Sequence, residues 1–179
     1  MRYVVLLRGI NVGGKNRVPM SQLKLVLEDL GCEDVRTYIN SGNVVLSDPR
    51  KGVELHGAIE DALRREFGFD IRALVLEKPA FERVVAAIPP DWRNDDTMRC
   101  DVMFLWNDIN LPVTLDALPA RPGIDSVLYV DGAIVWSVAR GDARKSGLPK
   151  LIGTELYKKM TIRNCTTVRA LSVLLATRE

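Results

Sequence analysis

The sequence predicts an α+β protein built from two ferredoxin-like halves in tandem, each with the element order β-α-β-β-α-β. Three observations lead there. Short β-rich runs alternate with segments whose apolar residues recur every three or four positions. The succession of elements between Tyr3 and Ile88 returns, less sharply, between Asp101 and Leu175. The stretch 89–97 between them is polar and rich in chain breakers. The halves are therefore expected at 1–90 and 97–179, and the duplication rests on element order alone. At 179 residues, 47% hydrophobic and 27% charged, the chain can bury a core without disulfide staples.

Tyr3 to Ile10 is an apolar, β-rich run and reads as a strand. Leu23, Val26, Leu27 and Leu30 fall at i, i+3, i+4 and i+7, one face of a helix that Pro19 starts and Gly31 ends. Val35 to Ile39 and Asn43 to Ser47 are short strands around the turn Asn40-Ser41-Gly42. Leu55, Ala58, Ile59, Ala62 and Leu63 make the next helical stripe, stopped at Gly68. Ile71 to Leu76 reads as a strand, and Phe81, Val84, Val85 and Ile88 as a helix bounded by Pro79 and Pro89-Pro90. In the second half, Asp101 to Trp106 is a strand and Leu111 to Leu118 a weak helix. Val127 to Val130 and Ala133 to Val138 flank Asp131-Gly132, a strong hairpin signal. A helix is expected over Lys150 to Lys159 and a short strand over Thr161 to Arg163. Thr166 or Thr167 would cap a last helix carrying Val168, Leu171, Leu174 and Leu175.

Composition excludes several function classes. The opening eight residues are too short and too charged for a signal peptide, and no apolar run reaches the roughly 18 residues of a membrane span. Cys32, Cys100 and Cys165 are dispersed and odd in number, matching neither a disulfide framework nor metal-knuckle spacing. A reducing, cytoplasmic location is the expectation. The formal charge of +2 does not suit a strongly basic nucleic-acid coat protein. Its distribution says more. Residues 1–17 carry four basic side chains and no acid. Residues 140–169 carry eight basic against two acidic, and 18–139 carry 12 basic against 20 acidic. If the fold joins the two basic segments they form one anion-attracting surface; otherwise they are solvated surface charges.

The loop Arg8-Gly9-Ile10-Asn11-Val12-Gly13-Gly14-Lys15-Asn16-Arg17 is the best chemical candidate. It leaves a strand and precedes a helix. Glycines let backbone N–H groups turn toward an anion, and Lys15 can reach its charge. Gly9, Gly14 and Lys15 even fit the frame G-x-x-x-x-G-K, but Asn16 stands where a phosphate loop has Ser or Thr. Asp108 is at most a weak candidate for a second-site acid. The candidate ligand-binding set is Arg8, Asn11, Gly13, Gly14, Lys15 and Arg17, with Asn40, Ser41 and Asn43 from the hairpin tip and Arg163 and Asn164 near the end. Each has a plainer reading: glycines and asparagines serve turns, and Asn164, Thr166 and Thr167 can cap a helix. Arg163 suits bidentate capture of a carboxylate or phosphate.

Arg8-Gly9-Ile10-Asn11-Val12-Gly13-Gly14, Thr37-Tyr38-Ile39-Asn40-Ser41-Gly42-Asn43 and Thr161-Ile162-Arg163-Asn164 resemble the domain-of-unknown-function family 1697 (DUF1697). The resemblance runs from residue 1 to about 175 and is loose from 50 to 155. The family pattern Arg-Asn-Trp-Asn-Thr-Val becomes Arg163-Asn164-Cys165-Thr166-Thr167-Val168 here, so the aromatic position is a cysteine. The resemblance implies a bacterial-type cytoplasmic protein with a duplicated ferredoxin-like fold. It implies no activity, substrate or cofactor.

Familiar chemistries find little purchase. His56 is the sole histidine and lies among Leu55, Ile59 and Leu63 on a helix stripe, as a surface residue would. No G-x-S-x-G nucleophile motif and no G-x-G-x-x-G dinucleotide fingerprint is present. One histidine and three scattered cysteines do not make a zinc site, and Asp91, Asp95 and Asp96 read as solvated loop acids. No metal is expected and no cofactor is indicated. Tyr3 and Tyr38 are sparse stacking platforms for single-stranded RNA. The functional expectation is binding of a phosphorylated or otherwise anionic small molecule at 8–17. The alternatives are a nucleic-acid-binding module acting through the basic ends and a scaffold without a ligand.

Overall fold

The computed structural model describes residues 1–177 and is a mixed α+β structure with two four-stranded antiparallel sheets. The chain divides into two compact units. One holds Met1–Phe81 together with the chain from Leu171 onward, and the other holds Glu82–Ala170. The divisions fall inside two helices, α3 (Lys78–Ala87) and α6 (Cys165–Ala176).

In the first unit β1 (Arg2–Arg8) is followed by α1 (Met20–Asp29), β2 (Glu33–Tyr38), β3 (Asn43–Ser47), α2 (Gly52–Phe67) and β4 (Arg72–Glu77). The strands lie in the order β2-β3-β1-β4. Val5 on β1 stands opposite Val44 on β3 and Val75 on β4. The unbroken apolar run of β1 reflects burial on both faces, since Tyr3 through Leu7 are all essentially inaccessible. Its Tyr3, Val5 and Leu7 join Leu23 and Leu27 of α1 and Leu55, Ile59 and Leu63 of α2 in one core. Each such buried leucine is worth roughly 2 kcal/mol of apolar transfer. The helix ends are those the sequence marks. Gly31 closes α1 with its N–H bonded to Glu28 O while Cys32 N–H reaches Leu27 O, and Gly68 closes α2 in the left-handed region.

In the second unit β5 (Met98–Leu105) is followed by β6 (Asp125–Val130), β7 (Ala133–Ala139), α4 (Leu148–Leu151), α5 (Glu155–Lys158) and β8 (Met160–Asn164). The strand order is β6-β7-β5-β8. Met103, Leu105, Ile134, Trp136, Leu148, Leu151 and Met160 share its core. The hairpin at Asp131-Gly132 forms, with Val130 opposite Ala133 and Gly132 at φ +93°.

Three sequence expectations are corrected here. The helix expected over Lys150 to Lys159 is two single turns, because the chain extends at Ile152 and goes left-handed at Gly153. Thr154 then starts α5 by accepting from Tyr157 N–H at 3.1 Å. The segment 111–118 is a 3₁₀ stretch (Pro112–Ala117) rather than an α-helix, consistent with its prolines. Of the three capping candidates Asn164, Thr166 and Thr167, it is Asn164 rather than a threonine that starts the last helix, its Oδ1 accepting from Thr167 N–H at 2.8 Å.

Candidate anion-binding loop of the first unit

β1 ends at Arg8, which is half-buried and stands opposite Arg72 of β4. Beyond it the chain needs a tight reversal before α1. Val12 and Lys15 form a two-residue bridge closed by Lys15 N–H to Val12 O at 3.1 Å. Gly13 and Gly14 are its central pair, at φ +59° and +75°. Two successive positive φ values are the primed-turn geometry, in which glycine carries no steric cost. Asn11 and Asn16 are also left-handed, at φ +55° and +53°, and Asn11 N–H donates to Asn16 O at 3.0 Å. Asparagine tolerates this conformation better than most residues.

Two asparagine side chains fix the loop. Asn11 Nδ2 donates to Val18 O at 2.9 Å and to Asn40 O at 2.8 Å, while its Oδ1 accepts from Val18 N–H at 2.8 Å. Asn16 Nδ2 donates to Gly9 O at 3.0 Å. Asn11 thus joins the loop to the β2–β3 turn. That turn is packed from beneath: Leu7 N–H donates to Gly42 O at 2.8 Å. A Cβ on Gly42 would meet Leu7 Cβ at 2.6 Å and Ile10 Cδ1 at 2.8 Å. Asn43 is fully buried and donates to Tyr38 O and Ser41 Oγ, closing the turn from inside. Ile39 sits at φ +48°, a strained position for a β-branched residue.

A cleft of about 600 Å³ opens at this junction, lined by Asn11, Gly14, Lys15, Arg17, Val18, Pro19, Met20 and Asn40. Lys15 and Arg17 are exposed and make no ion pair among the described residues. Val18, Pro19 and Met20 bring in the start of α1. No side chain caps that helix and its first turn holds no acid, so its N-terminal N–H groups and partial positive charge lie at the cleft without a built-in anion. Five sequence-predicted residues line the cleft: Asn11, Gly14, Lys15, Arg17 and Asn40. Gly13, Ser41 and Asn43 support it through the two turns. Val18, Pro19 and Met20 were missed; the signal for them was the acid-free start of the helix after Pro19.

Arg163 and Asn164 belong to the second unit, on β8. Arg163 is buried, with Nη1 donating to Thr161 Oγ1 at 3.0 Å and Ile162 O at 2.9 Å. Burial pushes its guanidinium down to about 10, still cationic at neutral pH. Asn164 is occupied as the α6 cap. In the basic C-terminal segment, Lys145 pairs with Asp142, Lys158 with Glu155 and Lys159 with Asp108, the loop acid flagged in the sequence. His56 pairs with Glu60 on the surface of α2. Asp95 Oδ1 accepts from Thr97 N–H, Thr97 Oγ1 and Met98 N–H, which orders its loop. Tyr3 is buried with its hydroxyl on Arg50 O, so its ring presents no stacking face.

A second cleft of about 660 Å³ lies by Met1, Arg2, Lys24, Glu28, Glu33 and Asp34. It has no surplus positive charge: Arg2 pairs with Asp34 and Lys24 with Glu28, and Glu33 matches the charge of the terminal ammonium, which donates to the Asp48 backbone carbonyl.

Comparison with known proteins adds the following. The model of a family described as protein of unknown function (DUF1697) matches residues 1–136. Among solved structures, the chain is similar to the conserved bacterial protein SP0830 from Streptococcus pneumoniae, at 29% identity and a TM-score of 0.84, over 97% of this chain and 98% of that one. No curated protein matches.

Proposed function

The chain belongs to the DUF1697 family of proteins of unknown function, and from that premise we propose that its first unit binds a phosphorylated or otherwise anionic small molecule in the cleft between the Gly13-Gly14 turn and the start of α1. The observation that carries this is the cleft lining: two exposed cations, Lys15 and Arg17, with no ion pair among the described residues, beside a helix N-terminus with no side-chain cap and no acid in its first turn. The rigid asparagine-stitched floor favours a small ligand, because it presents donors already ordered. The second basic segment, needed for the nucleic-acid reading, meets three acids at Lys145, Lys158 and Lys159 and buries Arg163. We also infer that each unit is ferredoxin-like and that the pair arose by duplication. In support, β4-β1-β3-β2 and β8-β5-β7-β6 are the same succession read in corresponding strands.

Titration calorimetry with inorganic phosphate, a sugar phosphate and a nucleoside diphosphate tests the binding. Saturable binding lost on joint Lys15→Ala and Arg17→Ala, and kept in the Lys145→Ala/Lys158→Ala/Lys159→Ala variant, is expected. A short oligonucleotide bound more tightly than any of these, with log K falling by about 0.7–0.9 per phosphate per decade of salt, would replace this reading with the nucleic-acid one. Binding by none of the four probes would leave the loop a structural turn.

A further inference from the structure

The cysteines that look dispersed in sequence are not dispersed in the second unit. β5 and β8 pair antiparallel with Asp101 opposite Asn164 and Val102 opposite Arg163. Asp101–Asn164 is the last rung of that ladder, and Cys100 and Cys165 are the residues that flank it, Cys165 as the first residue of α6. Both are fully buried and free, and the Cys165 sulfur is close enough to the Cys100 thiol to push it up. The directly opposed Asp101 and Asn164 have Cα atoms roughly 4.5–5.5 Å apart, and the two cysteines are their immediate neighbours in the chain; a disulfide spans about 4.4–6.8 Å between Cα atoms. The pair has a cationic neighbour: Arg169 Nη1 lies 3.6 Å from Cys165 Sγ, held there by its bonds to Trp92 O at 2.9 Å and Pro89 O at 3.1 Å. Cys32 is the internal contrast. Its thiol donates to Asp48 Oδ2 at 3.3 Å and faces the Arg50 guanidinium at 3.8 Å.

We propose that Cys100 and Cys165 are a dithiol that closes to an intramolecular disulfide when the folded protein meets a peroxide, and reopens with a small thiol. The site is independent of the anion cleft. In the closing step one sulfur, as thiolate, attacks a peroxide oxygen. The O–O bond breaks, a sulfenic acid forms and the departing hydroxide leaves as water. The second sulfur attacks that S–OH, the S–S bond forms and a second water departs. Two thiols lose two electrons and hydrogen peroxide gains them. Reopening takes two thiol–disulfide exchanges with a dithiol, which leaves as its own cyclic disulfide. Burial holds the Cys100 thiol high, as do the neighbouring Cys165 sulfur and Asp101, with Arg169 opposing. Closure is therefore expected to be slow and selective for an oxidant small enough to enter the core. The link ties β5 to the first residue of α6 and fixes the junction that Asn164 caps.

The folded full-length protein is treated with hydrogen peroxide, freed of excess peroxide, denatured in the presence of an alkylating agent and mapped by peptide mass spectrometry. One link, Cys100 to Cys165, is expected, with alkylated Cys32, a thiol count falling from three to one, and restoration of all three by dithiothreitol. The Cys32→Ser variant should behave identically and Cys165→Ser should yield no link. If Cys165→Ser does not fold, the unmodified chain oxidised in urea serves instead. There the three possible pairings should mix, so the single native pairing is shown to be templated by the fold. Three alkylatable thiols after peroxide, a link through Cys32, sulfinic acid without a link, or an intermolecular dimer as the sole product would each overturn the proposal.

Discussion

Gly42 and Gly57 carry the same side chain and opposite consequences. Gly42 is left-handed at φ +72° and its missing Cβ leaves room for Leu7 and Ile10, which touch the place a methyl would occupy. Gly42→Ala is expected to cost about 2–3 kcal/mol, combining the left-handed penalty with overpacking, as measured by urea unfolding. Gly57 lies inside α2 with open space around it, so Gly57→Ala should stabilise by about 0.5–1 kcal/mol in the same assay. Gly13→Ala and Gly14→Ala face empty space but need positive φ, and each should cost about 1 kcal/mol. They should also weaken anion binding, since the Val12–Lys15 turn would shift. Asn11 is a stronger test of the loop. Asn11→Ala removes three hydrogen bonds at once and strips the tie to Asn40, and is expected to cost about 1–3 kcal/mol. If Asn11→Ala binds and unfolds like the parent, the loop does not depend on that stitching.

At the scale of elements, the ends of α6 are the informative places. Its first turn rests on Asn164, and Asn164→Ala should cost about 1 kcal/mol. Its last turn is held from β2. Arg36 reaches Leu174 O at 2.7 Å, Thr177 O at 2.6 Å and Thr177 Oγ1 at 3.0 Å, satisfying carbonyls that a helix end leaves open. Asp34 holds the guanidinium from the other side at 3.3 Å. Arg36→Leu keeps much of the stem's packing and removes the donors. Amide exchange over 172–177 should then accelerate while exchange in β1 stays slow. Uniform acceleration throughout the unit would mean Arg36 is global ballast rather than a helix clamp. The strand elements were readable because their apolar runs are long and bounded by breakers. The 150–159 segment was not, because a helical pattern of apolar residues says nothing about Gly153 going left-handed and Thr154 restarting the count.

For the whole molecule, pH is the variable that reaches both units. Asp48 is sealed beneath Arg50, whose Nε donates to Oδ1 at 2.8 Å, and these bonds hold its carboxyl below the ordinary range against the cost of burial. Burial alone would raise Asp125, but the N–H groups of Gly147 and Arg121, Ser146 Oγ and Trp136 Nε1 bring it below the ordinary range. A carboxyl lowered in the folded state contributes fully above its unfolded value, about 4, and loses that contribution as pH falls through the folded value. Melting temperature should therefore be level near neutrality and drop below about pH 4. Asp48→Asn should lower it at pH 7, by an amount equivalent to about 1–3 kcal/mol, and narrow the gap to the parent as the pH falls. A gap independent of pH would show that Asp48 acts through packing rather than charge. Cys32 donates to the same carboxylate, and burial first, then Asp48, pushes its thiol up to about 12. It should stay unalkylated in the folded protein at pH 8.

By itself the sequence determined the mixed α+β class, the positions of β1, β3, α1 and α2, and the loop that forms the cleft. These are local matters. Burial on both faces writes a continuous apolar run, a helix writes a 3.6-residue stripe, and a primed turn writes adjacent glycines. It also placed Lys15, Arg17 and Asn11 among the candidates, because residue type and spacing between a strand and a helix are local too. Only the tertiary structure decided what those residues touch. Asn11 became a brace because Asn40, 29 positions away, arrives beside it. Arg163 was turned inward and Asn164 spent on a helix end, both fixed by the strand-to-helix handover at β8. Cys100 and Cys165 came to flank the Asp101–Asn164 pair because β5 and β8 chose one antiparallel register, and a register is a relation between distant segments that neither segment spells out.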